Sequence, residues 1–270
     1  MLETPVITSR QNRRIVEARK LAERKHRQRS GRFLVEGVKL LEMALNAGAS
    51  PVEAFLCRKQ AGPIATRLAQ QLQDAGATLV EVTPDVMDAL AEREAAEGIV
   101  ATFHVFERRL DEVKLAGESL VLVVDRWQDP GNLGTLIRTA DAVAAAAVAL
   151  VEPCVDPFDP KTVRGSMGSL FHVPLVRSAD GQWLLQTLKT RGLRVVAADA
   201  RRGADWGEGL WQGGVALIVG NEARGLSPDL EPLVDAWARL PIAGRAESLN
   251  AAVAGGVLMY TWLRDKERAQ

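Results

Sequence analysis

Leu240-Pro-Ile-Ala-Gly-Arg-Ala-Glu-Ser-Leu-Asn250, with the apolar run that follows it to Leu263, decides how this chain is read. Residues 238–242 predict a short apolar strand closed by Gly244. A polar loop follows, and residues 249–263 predict a helix. Ser248 stands where an N-cap is expected, because its hydroxyl can accept from an unpaired N–H of the first turn. The helix holds Ala251, Ala252, Ala254, Gly255 and Gly256 in close succession. A glycine inside a helix costs about 0.8–1 kcal/mol relative to alanine. Two in a row imply that another backbone or a ligand lies against that face. The helix is apolar nearly all round until Arg264, which marks it as buried. Taken alone, the stretch reads either as a site or as a core helix with an ordinary cap.

Working outward, residues 120–125, Leu-Val-Leu-Val-Val-Asp, form a continuous apolar run of the kind buried on both faces of a parallel sheet. A helix over 133–145 and a strand over 148–151 follow. Past Asp156-Pro and Asp159-Pro come a helix over about 161–170, a strand over 173–176 and a helix over 182–191. Strands over 194–198 and 215–219 complete the series. The alternation predicts a parallel sheet covered on both faces, with ligands in the loops beyond the strands' carboxyl ends. Two of those loops are unusually polar. One is Asp129-Pro-Gly-Asn132-Leu-Gly134-Thr-Leu-Ile-Arg138, where Asn132 is placed to cap the helix and Arg138 is either a surface residue or a buried, paired one. The other is Gly220-Asn221-Glu222-Ala-Arg-Gly225-Leu-Ser227, where a buried strand runs straight into an acid that needs a partner. The first strand is followed by Gly131-Asn-Leu-Gly134 rather than Gly-x-Gly-x-x-Gly, which disfavours a standard dinucleotide-binding fold.

Residues 1–103 predict a smaller α/β unit, with helices over 12–25, 37–47, 64–75 and 84–91 and strands over 32–36, 52–57, 78–82 and 99–105. The charged stretch 107–117 reads as a linker. The formal net charge is zero, yet residues 10–32 carry ten Lys/Arg against Glu17 and Glu23. Such a block suits a phosphate backbone, where each neutralised phosphate releases a counterion, or else a solvated helix face. The chain is 47% hydrophobic and 25% charged, as a globular protein is. Its longest apolar run, 142–151, falls short of the about 20 residues a membrane span needs, and no secretory leader is read at the start. Cys57 and Cys154 lack metal-ligand spacing and suit a reducing compartment.

Asn132…Arg138, Gly220-Asn221-Glu222…Gly225 and Ser248-Leu249-Asn250, in that order, resemble the three motifs of the SpoU/TrmH family. These are S-adenosylmethionine-dependent RNA ribose 2′-O-methyltransferases of the SPOUT superfamily. Residues 155–171 are similar to the same family. Residues 9–37 resemble the L30e-like substrate-binding domain of its rRNA-modifying members. One departure is Ala223, where a glycine often follows the acid. The resemblance implies an L30e-like domain over 1–106, a linker over 107–117 and a knotted (trefoil) α/β methyltransferase domain with a parallel sheet over 118–270. It implies a catalytic set of Arg138, Asn132, Glu222, Ser248 and Asn250, and S-adenosylmethionine held largely by backbone at Gly220, Leu240, Ile242 and Leu249. For the RNA it implies contacts from Arg10, Asn12, Arg24, Lys25, Arg27, Arg32, Lys161 and Arg164. It further implies a cytoplasmic homodimer joined through the knotted domain, acting on large-subunit rRNA without a metal or a membrane. An arginine is a poor base, so Arg138 is expected to grip the target phosphate. Other readings are a tRNA ribose methyltransferase of the same fold, a base methyltransferase, and an RNA-binding module that has lost catalysis.

Overall fold

A computed structural model describes residues 6–91 and 97–269; the expected domain ends at Met1 and Gln270 lie outside the described residues. The chain divides into two compact units. The first comprises residues 1–106 and 158–171, and the second 107–157 and 172–270.

The first unit runs through α1 (Arg13–Lys20), α2 (Arg24–Ser30), β1 (Arg32–Glu36), α3 (Val38–Asn46), β2 (Pro51–Leu56), α4 (Pro63–Asp74), β3 (Thr78–Glu81), α5 (Pro84–Leu90) and β4 (Ile99–His104). Its sheet has the order β1-β4-β2-β3; β4 is antiparallel to both neighbours and β2 and β3 are parallel. One helix was expected over 12–25, and two are found. Asn12 caps α1, its side chain accepting from Arg14 N at 3.0 Å. The helix ends at Leu21, and the guanidinium of Arg27 donates to the Leu21 and Ala22 carbonyls at 2.8 Å each. The break therefore exposes carbonyls that a buried cation satisfies.

Residues 158–171 were expected inside the second domain and pack with the first. The reason is aromatic. Phe158 and Phe171 join Phe33, with ring centroids 4.8 and 6.3 Å away, and Phe106 lies 5.2 and 5.9 Å from them. Asp159 caps the short α7 (Pro160–Gly165) and lies 3.4 Å from Arg27.

The second unit holds β5 (Leu120–Asp125), α6 (Pro130–Ala142), β6 (Ala147–Val151), β7 (Leu175–Ser178), α8 (Gly181–Thr190), β8 (Leu193–Ala198), β9 (Ala204–Asp205), β10 (Gly214–Val219), β11 (Ala236–Arg239) and α9 (Ala251–Ala269). The seven strands are ordered β7-β6-β5-β10-β8-β11-β9, and every pair is parallel. β5, β6 and β10 are buried at every residue, as their unbroken apolar runs require. The expected linker is not a loose connection. Leu110 and Val113 sit in this unit's core, Arg191 donates to both their carbonyls at 2.6 Å, and Glu107 meets Arg177 at 2.8 Å. The strand expected over 238–242 ends at Arg239, and the loop beyond it opens toward the site. No helix among the described residues is long and apolar enough to cross a membrane.

Candidate active site

The carboxyl edge of the parallel sheet carries a cavity of about 800 Å³. Four turns line it: 198–201 after β8, 219–226 after β10, Leu240, Ile242 and 248–250 after β11, and Asn132 in the first turn of α6.

Two of these turns are built one cap away from the sequence expectation. Asp129, not Asn132, caps α6, accepting from Asn132 N at 2.7 Å. Asn250, not Ser248, caps α9, its Oδ1 accepting from Ala252 N at 2.9 Å and Val253 N at 3.2 Å. Each shift leaves a functional side chain available. Asn132 Nδ2 donates to Glu222 Oε1, and Asn250 Nδ2 donates to Asn132 Oδ1 at 3.2 Å. Three residues separated by 90 and 118 positions thus form one hydrogen-bonded chain at the cavity wall. The Ser248 hydroxyl lines the cavity from an exposed position.

The turn after β10 is closed by its own atoms. Asn221 and Gly225 exchange backbone hydrogen bonds at 2.8 and 2.9 Å. Asn221 Oδ1 accepts from Ala223 N and Arg224 N, and its Nδ2 donates to the Arg126 carbonyl at 2.7 Å. A Cβ on Gly220 would lie 2.5 Å from the Gly225 carbonyl carbon and the Leu226 nitrogen. Gly220 is needed first for this fold-back of the loop, and its place at the cavity is a consequence. Trp127, buried, donates to the Gly220 carbonyl at 2.8 Å and braces the same turn. Asp125, fully buried at the end of β5, accepts from Ser227 N at 2.8 Å.

The paired glycines of α9 have a related explanation. A Cβ on Gly255 would approach Leu136 Cδ2 to 3.0 Å and Val219 Cγ2 to 3.2 Å. The helix is glycine-rich there because it lies close against α6 and β10; its cavity face is Ala251, Ala254 and Leu258.

Leu240, Ile242 and Leu249 line the cavity together with Gly220. Among the described residues, 241–249 make no backbone–backbone hydrogen bond, so their C=O groups, and their N–H groups except at Pro241, are available to a ligand. Apolar walls from Val219, Leu240 and Leu258 beside an acid, Asp199, suit a flat heterocycle carrying polar and cationic groups. S-adenosylmethionine is such a molecule, and the residues present fit it. Burial pushes the Asp199 carboxyl up, but the N–H groups of Arg201 and Arg202 and the Arg202 guanidinium outweigh it and hold the group below the usual range. The sequence reading passed over Asp199, Asp129 and Trp127. The signal for Asp199 was its position directly after a buried strand of a parallel sheet.

Arg138 does not join this set. It lies six residues beyond Asn132 on α6, about 9 Å along the axis. It is exposed, does not line the cavity, and among the described residues makes no hydrogen bond or ion pair. The residues expected to meet RNA all lie in the first unit. Arg10 is bound to Asp85 by its Nε at 2.7 Å, Lys25 to Glu23 at 2.7 Å, and Arg32 lies 3.9 Å from Glu53. Lys25 and Lys161 are exposed, while Arg24, Arg32 and Arg164 are half-buried. Arg27 is a correction: at 2% exposure, with its guanidinium on two carbonyls and Asp159, it is a structural cation and not part of an RNA-facing surface. Asn12 is likewise occupied as a helix cap. Among the described residues, no group of His, Cys, Asp and Glu could hold a metal ion.

A wholly parallel sheet with polar turns converging on a cavity at its carboxyl edge defines a ligand-binding α/β protein of the SPOUT kind. Comparison with known proteins is more specific: residues 119–260 match the SpoU rRNA Methylase family and residues 12–101 the MRM3-like substrate binding domain, and the chain belongs to the SpoU family. The Bacillus subtilis (strain 168) protein 23S rRNA (guanosine(2553)-2'-O)-methyltransferase RlmP is 37% identical over 254 residues, covering 94% of this chain and 97% of that one. The Streptomyces viridochromogenes 23S rRNA (uridine(2479)-2'-O)-methyltransferase is 32% identical, covering 91% and 87%. The crystal structure of an AdoMet-bound rRNA methyltransferase from Sinorhizobium meliloti superposes with a TM-score of 0.89 at 32% identity, covering 97% and 98%.

Proposed function

We propose that this protein transfers a methyl group from S-adenosylmethionine to a ribose 2′-hydroxyl of 23S rRNA, in the cytoplasm and as a homodimer. The observation that carries the reading is the Glu222–Asn132–Asn250 hydrogen-bonded chain on the wall of a cavity also lined by Ile242, Ser248 and Leu249, whose stretch of backbone makes no backbone–backbone hydrogen bond among the described residues. The cofactor supplies a methyl group already activated by the sulfonium charge. The protein must then orient the hydroxyl and help remove its proton. Glu222 fixes the Asn132 amide through its Oε1, and Asn132 Oδ1 fixes Asn250. The second Glu222 oxygen and the Ser248 hydroxyl are left to hold the ribose. Gly220, Leu240, Ile242 and Leu249 are the positions at which cofactor binding is assigned.

A guanidinium is a poor base, so Arg138 serves as a clamp on the target phosphate, which takes the hydroxyl proton. Its place outside its own cavity is consistent with a dimer in which it serves the partner's cavity. The exposed apolar face of α9, with Val253 50% and Tyr260 52% exposed, is the surface offered for that contact. The knotted chain path of the family is part of the same reading. The first unit, with Arg10, Arg24, Lys25, Arg32, Lys161 and Arg164, holds the RNA.

The test is transfer of radiolabelled methyl from S-adenosylmethionine to 23S rRNA and to bulk tRNA, followed by nuclease digestion and nucleoside mass spectrometry. Label on the ribose of 23S rRNA is expected. Label on a base, label on tRNA alone, or no transfer would each overturn the reading. Light scattering at micromolar concentration is expected to give the mass of two chains, and a monomer there would remove the dimer.

A further inference from the structure

The first unit contains a second cavity, of about 360 Å³, that the proposed reaction does not use. Its floor is Glu53 on β2 and Thr102 on β4, and its walls come from the end of α1 and from α2. Glu53 and Thr102 are cross-strand partners, and Glu53 N donates to Thr102 Oγ1 at 3.2 Å. The register between β2 and β4 shifts between Pro51 and Glu53. Irregularities of this kind re-aim a side chain, and here the side chain is a carboxylate.

That carboxylate is unusual. Its side chain is only 17% exposed, yet no hydrogen-bond donor reaches its oxygens among the described residues. The nearest cations, Arg14 at 3.6 Å and Arg32 at 3.9 Å, stand beyond hydrogen-bond range. Burial, with Glu17 adding to it, holds the group above the usual carboxylate range although the two guanidiniums oppose that shift. Its oxygens are not sealed off from the cavity, so the donors of a bound group can reach them. The rim is cationic. Lys20, Arg29 and Arg32 surround it, while Glu17, the other acid there, is held by Arg13 at 2.8 Å. His26 and Arg29, 3.1 Å apart, are flat groups on which a base can stack.

An acid at the floor and cations at the rim match a nucleotide presented base-first. We propose that this cavity receives one unstacked guanine of the RNA, its N1–H and N2–H₂ edge on the Glu53 carboxylate and its phosphates on Lys20 and Arg29. The choice of base follows from donor geometry. An ionised carboxylate only accepts, and it has two oxygens side by side. Guanine presents two adjacent N–H donors on its Watson–Crick edge. Adenine and cytosine present one donor beside an acceptor, and uracil one donor between two acceptors. Single-stranded RNA is commonly read this way, by stacking and by hydrogen bonds to an exposed base edge. The inference rests on the reading of the chain as an RNA-modifying enzyme and names where that RNA is read for sequence.

The experiment uses the full chain and fluorescein-labelled decauridylates carrying guanosine, inosine or no substitution at the centre, followed by fluorescence anisotropy. Inosine lacks the N2 amino group and so one of the two donors. The guanosine oligonucleotide is expected to bind about tenfold more tightly than the inosine one. Glu53→Gln should erase that preference while changing the affinity for plain decauridylate by less than about twofold. Glu53→Asp, which withdraws the carboxylate by one methylene, is a second variant with the same expected loss. Equal binding of guanosine and inosine by the wild-type chain, or a preference that survives both substitutions, would overturn the proposal. Methyl transfer to 23S rRNA is measured alongside. Transfer without a guanosine preference sinks this cavity assignment alone, and a preference without transfer sinks the proposed reaction alone.

Discussion

The two polar groupings of this molecule are built in opposite ways. In the second unit, Asn132, Glu222 and Asn250 come from three distant turns and bond to one another. In the first unit, the basic residues from Arg10 to Arg32 are contiguous in sequence, and several are tied up by local acids or carbonyls. Density of charge in the sequence overstated the second grouping, because a neighbouring Glu or an orphaned helix carbonyl takes up a cation as readily as RNA does. Sparse polar residues at strand ends understated the first, since convergence is a property of the fold and leaves little trace in local composition.

Six substitutions at five positions test this contrast. The largest effect is expected at Arg138, a site residue that stands apart from both the bonded set and the cavity. Arg138→Ala should lower methyl transfer by about a thousandfold, the scale for loss of a transition-state charge contact, with S-adenosylmethionine binding by calorimetry nearly unchanged. Near-normal turnover would remove Arg138 from the chemistry.

Arg27 comes next. Arg27→Ala orphans the Leu21 and Ala22 carbonyls and takes the cation from Asp159, which keeps only its cap bond to Lys161 N, and should destabilise the chain by about 3 kcal/mol in a denaturant titration. Lys25→Ala, on the exposed side of the same helix, should leave the midpoint in place and reduce the salt slope of RNA binding by about one. If Arg27→Ala behaved like Lys25→Ala, the division of these cations into structural and surface would be wrong.

Cys154 probes how tightly the turns of the second unit close. Burial pushes its thiol from 9.0 up to about 11, with Glu152 adding to the shift and N–H groups of Trp127 and Val155 opposing it. Between those two values the unfolded chain loses the proton while the folded chain keeps it. Stability is therefore unaffected below about pH 9 and falls as pH rises toward 11, by up to about 3 kcal/mol. Cys154→Ala should flatten that alkaline limb of the stability profile; a limb of unchanged steepness would show that the site is open to water.

The smallest effect separates the two roles of Asn250. Asn250→Ala loses the cap of α9 and should cost about 1 kcal/mol. Asn250→Asp keeps an acceptor for Ala252 N but cannot donate to Asn132. It should hold its stability and still lose activity. Equal activity in Asn250→Asp and wild type would mean that the bond to Asn132 is incidental.

The parallel sheet was legible because its central strands, 120–125 and 215–219, are apolar without a break, and only burial on both faces explains such runs. The three motif loops were legible because glycine, asparagine and acid follow directly on those strands. Other features were not. The cap positions slipped, from Asn132 to Asp129 and from Ser248 to Asn250, because Ser, Asn and Asp all cap well and several stand in each loop. The break between α1 and α2 was hidden because residues 12–25 keep a helical period through it. The assignment of residues 158–171 to the first unit was invisible because Phe158 and Phe171 lie next to second-unit residues in sequence, and only ring packing against Phe33 decides where they go.

The amino-acid sequence by itself determined which segments are strands buried on two faces, and which turns carry the polar residues, since both follow from the period and composition of short stretches. Tertiary structure alone decided that Asn132 leaves the cap of α6 to Asp129 and so meets Glu222, that Asn250 takes the cap of α9 and still reaches Asn132, that Gly255 lies against Leu136 and Val219, and that Arg27 is buried while Arg138 is exposed. The physical reason is that a side chain's partner is chosen by which groups arrive within about 3 Å of it, and for residues ninety or more positions apart that distance is set only when the sheet has closed.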